Sequence, residues 1–331
     1  MLPSPPDIGL RLAGFGSHLP ERVLTNSDLE KMVLTSDEWI VSRTGIRERR
    51  IAAKDELASD MGAKAASKAL TQAGLQAEEI DLIITASITP DMTFPSTACI
   101  IQEKIGAKKA AAFDLQAACS GFLYSLIVGA NFIRTGSYRN ILIIGTERPS
   151  SILNWTDRNT CILFGDGAGA AILQATKNSG GLLAWCLGAD GRHGDKLYLK
   201  NSWAARTLDD PSEPPEDYLV MNGKEIFKLA VHGMVGAAEE VLAKAGCTAA
   251  DIRCVIPHQA NVRIIDAITE RLQIPRDKCF VNLEQLGNIS SACIPIALEQ
   301  AAAHYSLKKG DKILLLAFGG GLTWAAVLWE F

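Results

Sequence analysis

KALTQAGLQAEEIDLII at residues 68–84 and EVLAKAGCTAADIRCVI at residues 240–256 are two copies of one unit. Each reads as the end of an amphipathic helix, a glycine that closes it, a short polar turn and a buried strand. The closing glycines, Gly74 and Gly246, lie 172 residues apart (246 − 74). The same offset lays residues 140–144 on 312–316 and sets Cys119 beside Ser291, three residues after Asn288. Chance likeness of two helix–strand units does not hold register through several elements, and a solenoid repeats at a shorter period and more often. The pattern predicts an α/β protein of two βαβ-rich halves about a pseudo-twofold axis, residues 9–176 and 177–331.

The rest of the chain fits that frame. Strand-like runs at 81–87, 110–115, 140–145, 253–256 and 312–318 alternate with helix-like segments at 57–73, 96–105, 119–135, 222–245, 261–272 and 291–305. Residues 313–329 are the longest apolar stretch, but Gly319, Gly320 and Gly321 break it, so it reads as strand, glycine turn and strand instead of a membrane span. Residues 201–217, ending in DDPSEPPED, read as a surface excursion.

Composition narrows the function. At 331 residues, 48% hydrophobic and 21% charged, the chain has enough apolar surface for a large core and no low-complexity tract. A net charge of −4 gives no general attraction to nucleic acid or anionic lipid. The first residues, MLPSPPDIGL, resemble neither a secretory signal nor a transit peptide. Eight cysteines are scattered without a CxxC pair, which predicts reduced thiols, a cytoplasmic setting and no zinc site.

Three residues stand out as chemistry. Cys119, in FDLQAACSGFLYSLIVGANFIRTG, falls where an apolar strand gives way to a helix. Unpaired N–H groups and the helix dipole at such a point favour a thiolate, and the expectation is a pKa below the usual ~8.5. His258, in CVIPHQANVRI, follows a short strand at its carboxyl end, where open α/β sheets bind ligands. Asn288, in EQLGNISSACIPIALEQ, occupies the matching turn of the second half. Taken singly, Cys119 reads equally as a buried structural thiol, His258 as a core histidine and Asn288 as a helix cap. Together the duplicated register brings all three to one end of the sheets, where a neutral His and an Asn can both donate to one oxygen. GFGSHLP at 14–20 has Leu19 where a dinucleotide-binding turn needs its third glycine. FGDGAGAA at 164–171 and AFGGGLTW at 317–324 read as tight turns and close backbone approach.

With TSDEWIVSRTGIRER at 35–49, AACSGF at 117–122, DRNTCILFGDGAGAA at 157–171, ADGRHGD at 189–195, PHQAN at 257–261, GNISSA at 287–292 and AFGGGLTW at 317–324, the chain resembles β-ketoacyl-acyl carrier protein synthase III almost end to end. That family initiates bacterial type II fatty acid synthesis. The resemblance implies a thiolase-like fold in five layers, α-β-α-β-α, and a homodimer, with the nucleophilic cysteine in the first half and the catalytic His and Asn in the second. It implies acylation of Cys119 by acetyl-CoA or another short acyl-CoA, then decarboxylative condensation with malonyl-acyl carrier protein. The products would be β-ketoacyl-acyl carrier protein, CoA and CO2, with no metal or redox cofactor.

By the same resemblance, His258 and Asn288 hold the malonyl thioester oxygen, and the N–H groups of Cys119 and Gly320 form a second oxyanion hole. Trp39 and Arg158 flank the adenine of CoA, Thr35 contacts it, and Arg43 approaches its phosphates. Phe94 reaches the acyl pocket of the mate. Lys228, Arg263 and Arg271 dock the carrier protein, although Glu270 interrupts that basic face. The chain departs from the family pattern at Asn159, Lys224 and Ile289. The Cys-His-Asn set differs from elongating synthases, which use a second His, and from degradative thiolases, which use a second Cys. A secondary-pathway ketosynthase or acyltransferase of the same fold, and a non-catalytic acyl-carrier-binding subunit, are the alternatives.

Overall fold

The computed structural model describes residues 8–177, 180–201 and 217–331. Most of the predicted excursion at 201–217, and the first seven residues, lie outside the described residues.

The first half runs β1 (Gly9–His18), β2 (Arg22–Thr25), α1 (Asn26–Leu29), α2 (Asp37–Thr44), β3 (Glu48–Ile51), α3 (Ala58–Ala73), β4 (Leu82–Ala86), α4 (Thr97–Ile105), β5 (Ala111–Leu115), α5 (Gly121–Arg134), β6 (Asn140–Glu147) and β7 (Gly167–Thr176). The second runs β8 (Gly181–Ala189), β9 (Leu197–Tyr198), β10 (Val220–Met221), α6 (Gly223–Lys244), β11 (Cys254–Pro257), α7 (Val262–Arg271), α8 (Leu283–Leu286), α9 (Cys293–His304), β12 (Lys312–Gly319) and β13 (Thr323–Glu330).

Two sheets carry the repeat. The first has the order β1-β7-β6-β4-β5, the second β8-β13-β12-β11. In each, one end of the sheet is parallel (β6-β4-β5 and β12-β11) and the other antiparallel (β1-β7-β6 and β8-β13-β12). Cys279 makes a parallel bridge to Val255 where β5 would sit in the second sheet. The offset of 172 maps Gly9 onto Gly181, Asn140 onto Lys312 and the 3-10 turn 118–120 onto the turn 290–292. It even carries an unusual backbone angle, φ +46° at Ala118 and +47° at Ser290.

Three apolar clusters fix the layers. One packs α5 and α9 between the two sheets, with Phe122, Leu126, Ile294 and Leu298 against β4, β6, β12 and β13. A second covers the outer face of the first sheet with α3 and α4, and a third covers the second sheet with α6 and α7. The result is α-β-α-β-α. Strands covered on both faces need no polar alternation, which is why LIITA in β4 is buried at all five positions.

One reading of glycine-rich sequence needs revision. FGDGAGAA is mostly the first part of β7 instead of a set of tight turns. Its glycines serve close approach: a Cβ at Gly169 would lie 2.7 Å from the Ile296 amide nitrogen, so α9 seats directly on the strand. Strand β1 escapes a propensity reading for the same reason, because a Cβ at Gly14 or Gly16 would collide with the backbone of α3 at 2.4 and 2.3 Å. The stretch 313–329 is β12 and β13 joined at the glycines, as expected. Among the described residues, no helix is long and apolar enough to cross a membrane.

Candidate active site

Cys119, His258 and Asn288 line one cavity of about 1200 Å³, together with Gly320. Each is buried, at 7, 3 and 7% exposure. Cys119 sits in the 3-10 turn that precedes α5, one residue after Ala118 with its left-handed backbone. The end of β12 closes on this turn, since a Cβ at Gly319 would stand 2.6 Å from the Cys119 amide nitrogen and 3.1 Å from that of Ser120. Only glycine permits that approach.

His258 follows Pro257 at the end of β11, and its amide donates to the Leu316 carbonyl at 2.7 Å. The neighbouring Gln259 side chain donates to the Pro257 and Phe280 carbonyls at 2.7 and 3.2 Å and accepts from the Asn282 amide at 3.0 Å, which fixes the turn. Burial lowers the His258 pKa to about 4, so the imidazole is neutral at physiological pH. Its Nδ1 is buried without a hydrogen-bond partner.

Asn288 is held by its amide to the Leu163 carbonyl at 2.8 Å. Its side-chain oxygen accepts from the Ser290 amide at 2.8 Å, which leaves the NH2 end as the free donor on the cavity wall. The Cys119 thiol contacts the Ser290 hydroxyl at 3.4 Å.

One expectation is overturned here. Burial pushes the Cys119 thiol up to about 12; the Ser290 contact opposes this, and a charge on Glu147 would add to it. The helix-terminus argument for a low pKa neglects desolvation, which in an enclosed site dominates. The resting group is therefore a thiol.

A second cavity of about 1350 Å³ adjoins the first and shares Asn261, Phe227 and Leu163 with it. Its wall carries Trp39, Arg43, Lys224, Lys228 and Arg263, so the way to Cys119 passes a basic mouth. The guanidinium groups of Arg43 and Arg158 stand 5.0 and 4.9 Å from the Trp39 ring centre. Asn261 caps α7 and donates to the Arg43 carbonyl at 3.0 Å, tying α2 to α7 at this mouth.

The remaining predicted residues fall elsewhere. Arg158 is exposed, donates to the Leu34 carbonyl at 3.0 Å and lines neither cavity. Thr35 also lines neither, and its hydroxyl is buried without a partner. Phe94 is 83% exposed and lies outside its own chain's cavity. Arg271 is at the far end of α7 from the mouth, so the structure groups Lys228 with Arg263 but not with Arg271. Sequence reasoning missed Gly319, Gln259, Ser290 and Glu147. The first three lie in motifs already quoted, and Ser290 is the register mate of Ala118; Glu147 lies in none of them. Among the described residues, no group of three or more His, Cys, Asp or Glu side chains is positioned to hold a metal ion.

Comparison with known proteins now decides the family. Two profiles match, 3-oxoacyl-[acyl-carrier-protein] synthase III over residues 113–191 and its C-terminal region over 242–331. The β-ketoacyl-[acyl-carrier-protein] synthase III of Caldanaerobacter subterraneus subsp. tengcongensis is 50% identical over 320 residues, 96% of this chain and 97% of that one. The chain belongs to the β-ketoacyl-acyl carrier protein synthase III family. It is a condensing acyltransferase with a thiolase-like fold, as the sequence resemblance implied. The crystal structure of the Aquifex aeolicus synthase III superposes with a TM-score of 0.92 at 48% identity, over 98% of this chain and all of that one. The priming β-ketosynthase of the R1128 polyketide pathway gives the same TM-score at 37% identity, over 100% and 98% of the two chains.

Proposed function

We propose that this enzyme performs the initiating condensation of fatty acid synthesis: a short acyl-CoA acylates Cys119, and the acyl group is condensed with malonyl-acyl carrier protein. The observation that carries this reading is the convergence of a buried thiol, a neutral imidazole and a free amide donor on one cavity behind a basic mouth.

In the first half-reaction the Cys119 sulfur attacks the thioester carbonyl. Because the resting group is a thiol, its proton must leave as the S–C bond forms, and neutral His258 is the acceptor we assign. Collapse of the tetrahedral oxyanion, held by the Cys119 and Gly320 N–H groups, expels CoA, which takes up the proton. In the second, the malonyl carboxylate leaves as CO2 and its bonding electrons pass to the thioester oxygen. That oxygen accepts from the imidazole N–H of His258 and the amide of Asn288. The resulting carbanion equivalent attacks the acyl carbonyl, and Cys119 leaves as thiolate and takes one proton from solvent to return to the thiol.

For CoA we assign the mouth: Arg43 toward the phosphates, and Trp39 and Arg158 around the adenine with Thr35 beside them. The Arg158 guanidinium rests on the Trp39 ring itself, so an entering base displaces it. For the carrier protein, Lys228 and Arg263 supply the basic contact to an acidic helix, with Arg271 more remote. Edge strand β5 and the exposed Phe94 and Met92 point to a homodimer, with Phe94 reaching the acyl pocket of the mate. We place the reaction in the cytoplasm, in keeping with eight free thiols. The likeness to a polyketide priming synthase keeps a secondary pathway as the second reading.

The test separates the half-reactions. Asn288→Ala should still form acyl-Cys119 but release CO2 from malonyl-acyl carrier protein ~10²- to 10³-fold more slowly, the usual cost of losing one oxyanion donor. Equal loss of both half-reactions would contradict the role given to Asn288.

A further inference from the structure

Beside the turn that touches Cys119, β6 ends in a glutamate that the reaction described above does not use. Glu147 is fully buried. Its carboxyl group receives the Thr89 hydroxyl at 2.7 Å, the Ile88 amide at 3.1 Å and the Ser87 hydroxyl at 3.3 Å on one oxygen. The other oxygen lies 2.7 Å from the Ser291 hydroxyl, 3.4 Å from the Ser291 amide and 3.3 Å from the Ile88 amide, which is shared between the two oxygens. Ser290, next in the turn, faces the same carboxyl group and also touches the Cys119 thiol.

Counting hydrogens at Ser291 decides the protonation state. Its Oγ is 2.9 Å from the Ala86 carbonyl oxygen and 2.7 Å from the Glu147 oxygen, two acceptors if the glutamate is ionised. A hydroxyl has one hydrogen to give. An ionised Glu147 would therefore leave one of these short oxygen–oxygen contacts without a proton, in a site with no exposure to water. A protonated Glu147 satisfies both, donating to Ser291, which donates on to Ala86. The three groups on the other oxygen are donors and suit a carbonyl oxygen. We infer that Glu147 is a positioning residue held as a neutral acid beside the Cys119 turn, so that the thiolate formed in the reaction faces no charged carboxylate of the protein.

Burial moves Glu147 in the same direction, raising its pKa against the opposing pull of its hydroxyl and amide donors. Among the described residues, the other ionisable side chains whose charge couples to it are Cys119 and Cys293, both of which its negative charge would push further from ionisation. The hydrogen bonds also anchor the loop 87–89, whose Ser87 and Ile88 line the cavity. The electrostatic effect requires a neutral group, whereas the anchoring needs only a hydrogen-bond acceptor at that oxygen.

This inference rests on Cys119 being the nucleophile, and the test keeps the two apart. Infrared difference spectroscopy of the whole enzyme at neutral pH should show the carbonyl stretch of a protonated carboxyl group that disappears in Glu147→Gln. In acylation by acetyl-CoA, followed by intact mass, Glu147→Ala should be slower by about tenfold or more and Glu147→Gln should recover to within about threefold of wild type, since the amide mimics the neutral acid. No such band in the wild type overturns the inference. So does a folded Glu147→Gln as slow as Glu147→Ala, because the charge would then be required, and so do equal rates for all three. If Glu147→Ala does not fold, the infrared band and the Glu147→Gln rate decide. Failure of the wild type to acylate Cys119 with any acyl-CoA sinks the nucleophile assignment instead, while the infrared result still fixes the state of Glu147.

Discussion

At the scale of single residues, burial governs the chemistry more than sequence position does. Cys119 stands where a helix terminus should favour thiolate, yet its enclosure keeps it a thiol. His258 is the converse, an imidazole held neutral by the same enclosure. The sign of its effect on stability follows from linkage. An imidazole ordinarily titrates near 6.5, and in the fold it does so at about 4. Above 6.5 both folded and unfolded chains are neutral at this site, and between 6.5 and 4 only the unfolded chain takes up the proton. Stability is thus lost as pH falls through that window, by ~3 kcal/mol at about 1.4 kcal/mol per pH unit. A His258→Gln variant lacks this loss. Urea unfolding at pH 7 and pH 4 should show the wild type falling by ~3 kcal/mol relative to the variant; a constant difference would contradict the buried neutral imidazole. That Cys119, His258 and Asn288 come together was legible in the sequence, because Cys119 and Asn288 adjoin equivalent turns of a duplicated unit and His258 ends a strand at the same end of the sheets. Their protonation states were not, since desolvation is a property of what surrounds a side chain after folding. Glu147 was invisible for a related reason: it ends a strand in no recognisable motif, and its role comes from threonine and serine hydrogen-bond partners 58 and 144 residues away.

At the scale of elements, the long apolar strands and the helices with glycine caps fell where periodicity put them, within a few residues. Among the strands that periodicity overlooked, β1 and β7 are those in which glycine and alanine replace bulky β-formers so that α3 and α9 can lie close. Such a strand is defined by its neighbour, not by its own propensity. The mouth is likewise a product of packing: α2, α6 and α7 are far apart in sequence and bring Arg43, Lys228 and Arg263 to one wall. Of the basic residues expected to act together, Arg271 is left out because it sits two turns or more along α7 from Arg263. Reversing two charges at the mouth, in Lys228→Glu with Arg263→Glu, should raise KM for the malonyl carrier protein by ~10-fold or more at low salt. It should change kcat little, and the effect should shrink as ionic strength rises. Steady-state kinetics at two salt concentrations checks this. An unchanged KM would remove these residues from the docking face.

At the scale of the whole molecule, the two halves share one core: α5 and α9 pack together between the sheets, and Cys119 and Asn288 approach each other because they occupy equivalent turns across the pseudo-twofold. The duplication is therefore what assembles the cavity, with Cys119 from one copy and His258 and Asn288 from the other. One side of the first sheet ends at β5, an edge with unpaired backbone groups, and Phe94 projects nearby at 83% exposure. A second copy pairing along this edge accounts for both features. Phe94→Asp should then weaken the dimer measurably in sedimentation velocity over a dilution series, whereas a wild type that is monomeric throughout would dismiss the pairing. The central claim is that Cys119 carries the acyl group between two thioesters. Intact-protein mass spectrometry tests it most directly: the enzyme is mixed with a panel of short acyl-CoAs and then with malonyl-acyl carrier protein. The account predicts one acyl adduct, absent in Cys119→Ala, that disappears as β-ketoacyl-carrier protein forms. An adduct that persists in Cys119→Ala, or that malonyl-acyl carrier protein does not discharge, would contradict it.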